Sequence, residues 1–252
     1  IHPYLRGVRC REELEAAARA GMEHLGVVDR DGVYGLVRAH KAALDHGVHL
    51  VCGATITVVE RPGVALLVED RRGWASLCRL LTAARSRVEK GRAELGVEDL
   101  AGRPEGLTCV LRHGWRPGWA APLREAFGDR LVVALSRRLR PGDRARTRRA
   151  LALAESLSAP LIASSEPLMH DPSRRPLVDV LGCVRRRTSL RSAGRSLQAN
   201  AARVLLPSEA YRERFADHPE AVASAVRVAE RCTFSLAELR YQYPHEVVPE
   251  GW

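Results

Sequence analysis

Along the chain, short unbroken apolar runs alternate with longer stretches in which apolar residues recur every three or four positions. The first kind reads as buried strand and the second as amphipathic helix. Glu12 to Ala20 is an Ala-rich helix closed by Gly21, and His24 to Val28 is an apolar run ending at Asp29. Tyr34 to Asp45 carries Leu36, Val37, Ala39, Ala43 and Leu44 at helical spacing and stops at Gly47, after which Val48 to Cys52 is a second strand, completing a β-α-β unit. Thr55 to Val59 and Val64 to Val68 flank Arg61-Pro62-Gly63, a turn signal, and predict a hairpin. The alternation continues with helix Trp74 to Val88, strand Leu107 to Leu111, helix Trp119 to Phe127, strand Leu131 to Leu135, helix Asp143 to Leu157 and strand Pro160 to Ala163.

Such alternation predicts an α/β fold whose parallel sheet, open or closed into a barrel, is crossed by helices. Functional residues are then expected at the C-terminal ends of the strands. Beyond Ala163 the pattern is helical: Arg174 to Arg186, a polar connection through Ser192 and Asn200, Ser208 to Phe215, and Pro219 to Cys232. Tyr241 to Trp252 has no periodicity and reads as a linker.

Composition narrows the class. With 252 residues, 46% hydrophobic and 28% charged, the chain has enough apolar residues for a sizeable core and is far from disordered or collagen-like compositions. Its longest apolar runs are strand-sized, well short of the ~18 residues of a membrane span, and no secretory leader is visible. The first residue, Ile1, suggests a trimmed fragment. Cys10, Cys52, Cys78, Cys109, Cys183 and Cys232 stand singly and read as core thiols of a reducing compartment. The formal net charge of +10 admits a polyanionic partner. Of 40 basic residues, however, only Lys41 and Lys90 are lysine, so compositional bias toward arginine explains the charge equally well.

Candidate chemistry is sparse. The nine histidines form no H-x-H or H-E-x-x-H motif; His40 and His46 read as solvated or helix-end residues, and His170, before Asp171-Pro172, is the one worth testing as a metal ligand. Asp29 and Glu166 are the acidic residues that fall at strand ends, where they could bind a cation or act as acid or base; Arg30 beside Asp29 equally suggests a salt bridge. Phosphate-binding loops and nucleophile elbows are missing. Arginines cluster at Arg137-Arg138, Arg144 to Arg149 and Arg185-Arg186-Arg187, the last closing a helix and a candidate for phosphate contact.

Leu5-Arg6-Gly7-Val8, Glu12-Glu13-Leu14, Leu25-Gly26-Val27-Val28-Asp29-Arg30, Tyr34-Gly35-Leu36-Val37-Arg38-Ala39-His40 and Val51-Cys52-Gly53 resemble the PHP domain of bacterial C-family DNA polymerases, the polymerase III α subunits. Arg174-Arg175-Pro176-Leu177-Val178-Asp179-Val180-Leu181, Ala229 to Leu236 and Glu238 to Pro244 are similar to the error-prone, ImuC-type branch of that family.

The resemblance implies a distorted (β/α) barrel of PHP type with a C-terminal helical extension. Residues 1–170 would form the barrel, its first strand truncated, 171–240 the extension, and 241–252 a linker toward the polymerase palm. The family's metal cluster mostly does not survive. Its H-x-H would fall upstream of Ile1, with His2 at an aromatic position. Asp29-Arg30 stands for Asp-His, Gly53-Ala54-Thr55 for Gly-x-Glu, Arg138 for a later His, and Glu166-Pro167-Leu168 for Asp-x-His. Two carboxylates are too few for a catalytic zinc or manganese, and arginine cannot coordinate a cation. The vestigial cleft of Asp29, Arg30, Thr55, Arg138, Glu166 and Leu168 is therefore expected to hold no metal and no other cofactor, with Arg30 and Arg138 replacing the cations beside Asp29 and Glu166.

Implied for the intact protein are DNA-directed synthesis across lesions in the bacterial cytoplasm, with Mg2+ in the palm. Its partners would be the polymerase core in cis, the primer-template, other mutagenesis proteins and the sliding clamp, with no membrane. The fragment itself would be a scaffold. Two alternatives stay open at this point: a metal-dependent phosphoesterase or 3′-5′ proofreading nuclease, and a stand-alone basic nucleic-acid-binding module.

Overall fold

The computed structural model describes residues 10–239; His2, the first residues of the resemblance and the expected linker at 241–252 lie outside that range. The described chain runs α1 (Cys10–Arg19), β1 (His24–Arg30), α2 (Leu36–His46), β2 (His49–Ile56), β3 (Val64–Val68), α3 (Arg71–Ser86), α4 (Val97–Ala101), β4 (Leu107–Leu111), α5 (Pro117–Phe127), β5 (Leu131–Ser136), α6 (Asp143–Ser156) and β6 (Leu161–Ser164). It continues through α7 (Arg175–Arg186), the single turn α8 (Leu190–Ala193), α9 (Ser208–Arg214) and α10 (Pro219–Arg231).

The six strands form one sheet in sequence order, curled into a half-barrel. The sheet is mixed, with the expected hairpin at β2–β3. β1–β2, β4–β5 and β5–β6 are parallel, but β3 runs antiparallel to both neighbours. A short connection between β2 and β3 can only form a hairpin, so β3 is reversed, and β4 then pairs with it in the opposite sense. A correction concerns β2, which is one strand from His49 to Ile56 where the apolar pattern suggested two. Gly53, between the two expected runs, lies inside the strand, where a Cβ would collide with the Leu66 carbonyl oxygen of β3. The sheet needs a glycine there for close strand approach.

β3, β4 and β5 are buried along their whole length, which explains their unbroken apolar runs. Strand alternation sends Val64, Leu66 and Val68 to the convex side, where they join the main core under α2, α3 and α5. Ala65 and Leu67 face the other way, with Val28, Val51, Val110, Val132 and Ile162, onto Val228 and Cys232. Helix α10 therefore covers the concave face. Its C-terminal end is stitched to the bottom of the sheet: the backbone N–H groups of Thr233 and Phe234 donate to the Glu69 carbonyl (2.9 and 3.1 Å), Arg231 lies 3.3 Å from the Glu69 carboxylate, and Phe234 stacks on Trp74 at 5.2 Å. Cys52, Cys109, Cys183 and Cys232 are buried free thiols, as core thiols should be, whereas Cys78 is partly exposed. Burial pushes the Cys52 thiol up to about 12. Among the described residues no helix is long and apolar enough to cross a membrane.

Candidate functional site

The C-terminal ends of β4, β5 and β6 bring three side chains together. Arg112 follows β4 directly, Arg138 lies two residues past β5, and Glu166 two residues past β6. Glu166 has a left-handed backbone, φ 43°, uncommon for a residue with a Cβ. That conformation is held from both sides: its N–H donates to Ser164 Oγ at 3.3 Å, and its carbonyl accepts from Arg203 Nε at 2.9 Å.

The Glu166 carboxylate, only 5% exposed, is saturated with guanidinium donors. Oε1 accepts from Arg112 Nε and Nη2 at 3.3 and 3.1 Å. Oε2 accepts from Arg138 Nε at 3.1 Å and also from its Nη2, and Arg203 Nη2 stands 3.8 Å away. Burial by itself would raise the Glu166 pKa, but the charges of Arg112, Arg138 and Arg203 outweigh it and hold the carboxyl at about 2. The space enclosed by Thr55, Ala65, Val110, Arg112, Ala134, Ser164 and Glu166 is about 10 Å³, at most the room of one water.

The other expected members of the cleft are placed differently. Asp29, 2% exposed, accepts the Gly35 N–H at 2.6 Å, so its carboxylate sits at the N-terminus of α2. Arg30 does not serve Asp29 as expected: its Nε lies 3.9 Å from Asp31, whose carboxylate also accepts from the Thr57 N–H (2.7 Å) and hydroxyl (2.8 Å). Thr55 is buried with its hydroxyl unbonded, and Leu168 packs with Met169, Val204 and Leu206. His170 Nδ1 is 3.9 Å from Glu12 of α1, which Arg174 approaches to 3.6 Å. Arg185, Arg186 and Arg187 are exposed at the end of α7, and Arg186 donates to the Ser196 carbonyl at 3.1 Å. Arg112 and Arg203 are functional neighbours that the sequence reading missed. Arg112 carried a usable signal, its place directly after a strand run, whereas Arg203 lies in a stretch without pattern.

These residues do not fit a divalent cation. Both Glu166 oxygens are engaged by guanidinium groups, whose fixed positive charge opposes a metal. Among the described residues no group of three or more His, Cys, Asp or Glu is placed to hold one. What the arrangement does chemically is neutralise a buried carboxylate and tie three strand ends to the loop before α9.

The PHP domain family matches residues 7–139. The chain is 38% identical over 248 residues to error-prone DNA polymerase 1 of Agrobacterium fabrum, covering 96% of this chain and 23% of that protein. It is 37% identical over 254 residues to the error-prone DNA polymerase of Pseudomonas syringae pv. syringae, covering 96% and 24%. The chain thus spans about a quarter of the length of the curated relatives it matches. Among solved structures, an amidohydrolase from Chromobacterium violaceum with bound sulfate and no metal superposes with a TM-score of 0.48 at 14% identity, over 66% of this chain and 85% of that one. A half-barrel with its charged residues at the strand ends, together with a family match over more than half its length, places the chain in the PHP domain family, homologous to part of the error-prone DNA polymerases.

Proposed function

We propose that this chain is the PHP portion of an error-prone DNA polymerase and serves it as a metal-free scaffold. The observation that carries this reading is the Glu166 centre, where guanidinium groups occupy the strand-end position at which a metal-dependent hydrolase needs donor atoms and an open coordination site. Identity of 37–38% across 96% of the chain supports the link to the polymerases. In the intact protein the polymerase core would be its partner in cis and the primer-template its partner through that core. Other mutagenesis proteins and the sliding clamp would assemble around it, in the bacterial cytoplasm. DNA synthesis across lesions, with its Mg2+, belongs to the palm. A phosphoesterase or 3′-5′ nuclease has no matching donor set among the described residues.

The test is elemental analysis of the purified chain with thermal unfolding in the presence and absence of a chelator. Substoichiometric metal and an unchanged melting temperature are expected. Stoichiometric zinc or manganese with chelator-sensitive melting would overturn the scaffold reading and put the nuclease in its place.

A further inference from the structure

Next to the Glu166 centre, between the β4–α5 connection and α6, lies a cavity of about 490 Å³. Arg112, His113, Arg116, Arg146 and Arg149 line it, and among the described residues no Asp or Glu does. The α6 contributors Arg146, Arg149, Ala150 and Leu153 recur at helical spacing, so one face of that helix forms a wall with its cations above and its apolar residues below.

The four arginines differ in how far they are committed. Arg112 is engaged by Glu166, and Arg116 lies over the Trp119 ring at 4.6 Å without a carboxylate partner among the described residues. Arg146 approaches Asp143 only to 3.9 Å, and its buried Nε has no hydrogen-bond partner. Arg149, exposed, makes no hydrogen bond or ion pair among the described residues. A cavity with that much uncompensated positive charge and orphaned donors is complementary to a multiply charged anion with several acceptor oxygens. A phosphate monoester, with up to two charges and three free oxygens, offsets more of that charge and satisfies more of those donors than one carboxylate would. The floor of Val133, Ala134, Ala150 and Leu153 and the wall of Trp115 are apolar, and the volume falls in the ~300–1,000 Å³ range of organic-ligand sites.

We propose that this cavity binds the phosphate of a nucleotide-sized ester, Arg116, Arg146 and Arg149 taking its oxygens and the apolar floor taking the organic group. The site stands apart from the scaffold reading and survives its failure. His113 reports on it: burial and the charges of Arg146, Arg149 and Arg138 lower its pKa, with Glu166 acting weakly the other way. A bound phosphate would offset those arginines and raise it.

The experiment follows the His113 imidazole by NMR in the 252-residue chain, titrated with thymidine 5′-monophosphate, inorganic phosphate, or an oligothymidylate lacking terminal phosphate, against chloride at matched ionic strength. The same titrations are run on R149A and R149E, which change an exposed side chain and are expected to melt within about 2 °C of the wild type. Expected is an upward His113 pKa shift beyond the chloride control, affinity roughly tenfold or more weaker in R149A, and no shift in R149E. A response to the mononucleotide or to inorganic phosphate supports the proposal, whereas a response to the oligonucleotide alone, whose diesters carry one charge each, overturns it. No shift beyond chloride with any of the three, or R149E responding like the wild type, overturns it.

Discussion

At Glu166 the balance between burial and charge is decided by number. One buried carboxylate would be costly, but two arginines donating in pairs and a third 3.8 Å away more than repay its desolvation. Because the folded pKa lies near 2 and the ordinary value is 4.5, the group contributes stability that is complete above pH 4.5 and lost as the pH falls toward 2. The integrated effect is on the order of 3 kcal/mol. Urea unfolding of wild type and Glu166→Gln should therefore show a gap of that order at pH 7 that closes between pH 4.5 and 2; a gap independent of pH would mean that the carboxylate charge is not what the arginines hold. Position after a strand was enough to single out Glu166 from the sequence, whereas Arg138 was reached only through the family resemblance. Pairing Arg30 with Asp29 was misleading for a reason of geometry: both belong to β1, and neighbouring strand residues project to opposite faces.

Among the elements, type was more legible than extent. Strands that are buried on both faces announce themselves as apolar runs, and Gly47, with φ 66°, ends α2 where the pattern stops. A glycine can mark a turn or a close approach, and Gly53, between the expected runs Val48 to Cys52 and Thr55 to Val59, is of the second kind. Gly73 is another of the second kind. It opens α3, where its N–H donates to the Asp70 cap at 2.9 Å, and a Cβ on it would drive into the Gly106 backbone carbonyl. Backbone cannot yield as a flexible side chain can, so Gly73→Ala is expected to destabilise the protein by about 3 kcal/mol, although alanine is the better helix former. A chemical denaturation curve checks it, and a neutral or stabilising result would show that α3 can slide away from the β3–β4 edge.

For the molecule as a whole, the alternation of helices and strands gave the α/β class, and the helical run after Ala163 was visible too. Where that run packs was not, because α10 has an amphipathic pattern that specifies a buried face and not the partner it is buried against. Its place on the concave side makes it part of the core. Truncation after His218 would uncover Val28, Val51, Leu67, Val110, Val132 and Ile162 at once. That variant is expected to be insoluble or to lack cooperative unfolding, as a melt of the soluble fraction would reveal; a soluble, cooperatively melting product would mean that the half-barrel stabilises itself. The same arrangement shapes synthesis on the ribosome. Since each strand pairs with the one made just before it, the sheet can assemble as it emerges, with little waiting for distant partners. The helix that covers its hollow side ends 67 residues after the last strand, from Ser164 to Arg231. At ~5–20 residues per second that interval is several seconds in which a greasy inner wall faces solvent. Yield of this protein is then governed by what shields that wall in the meantime, whatever the final stability.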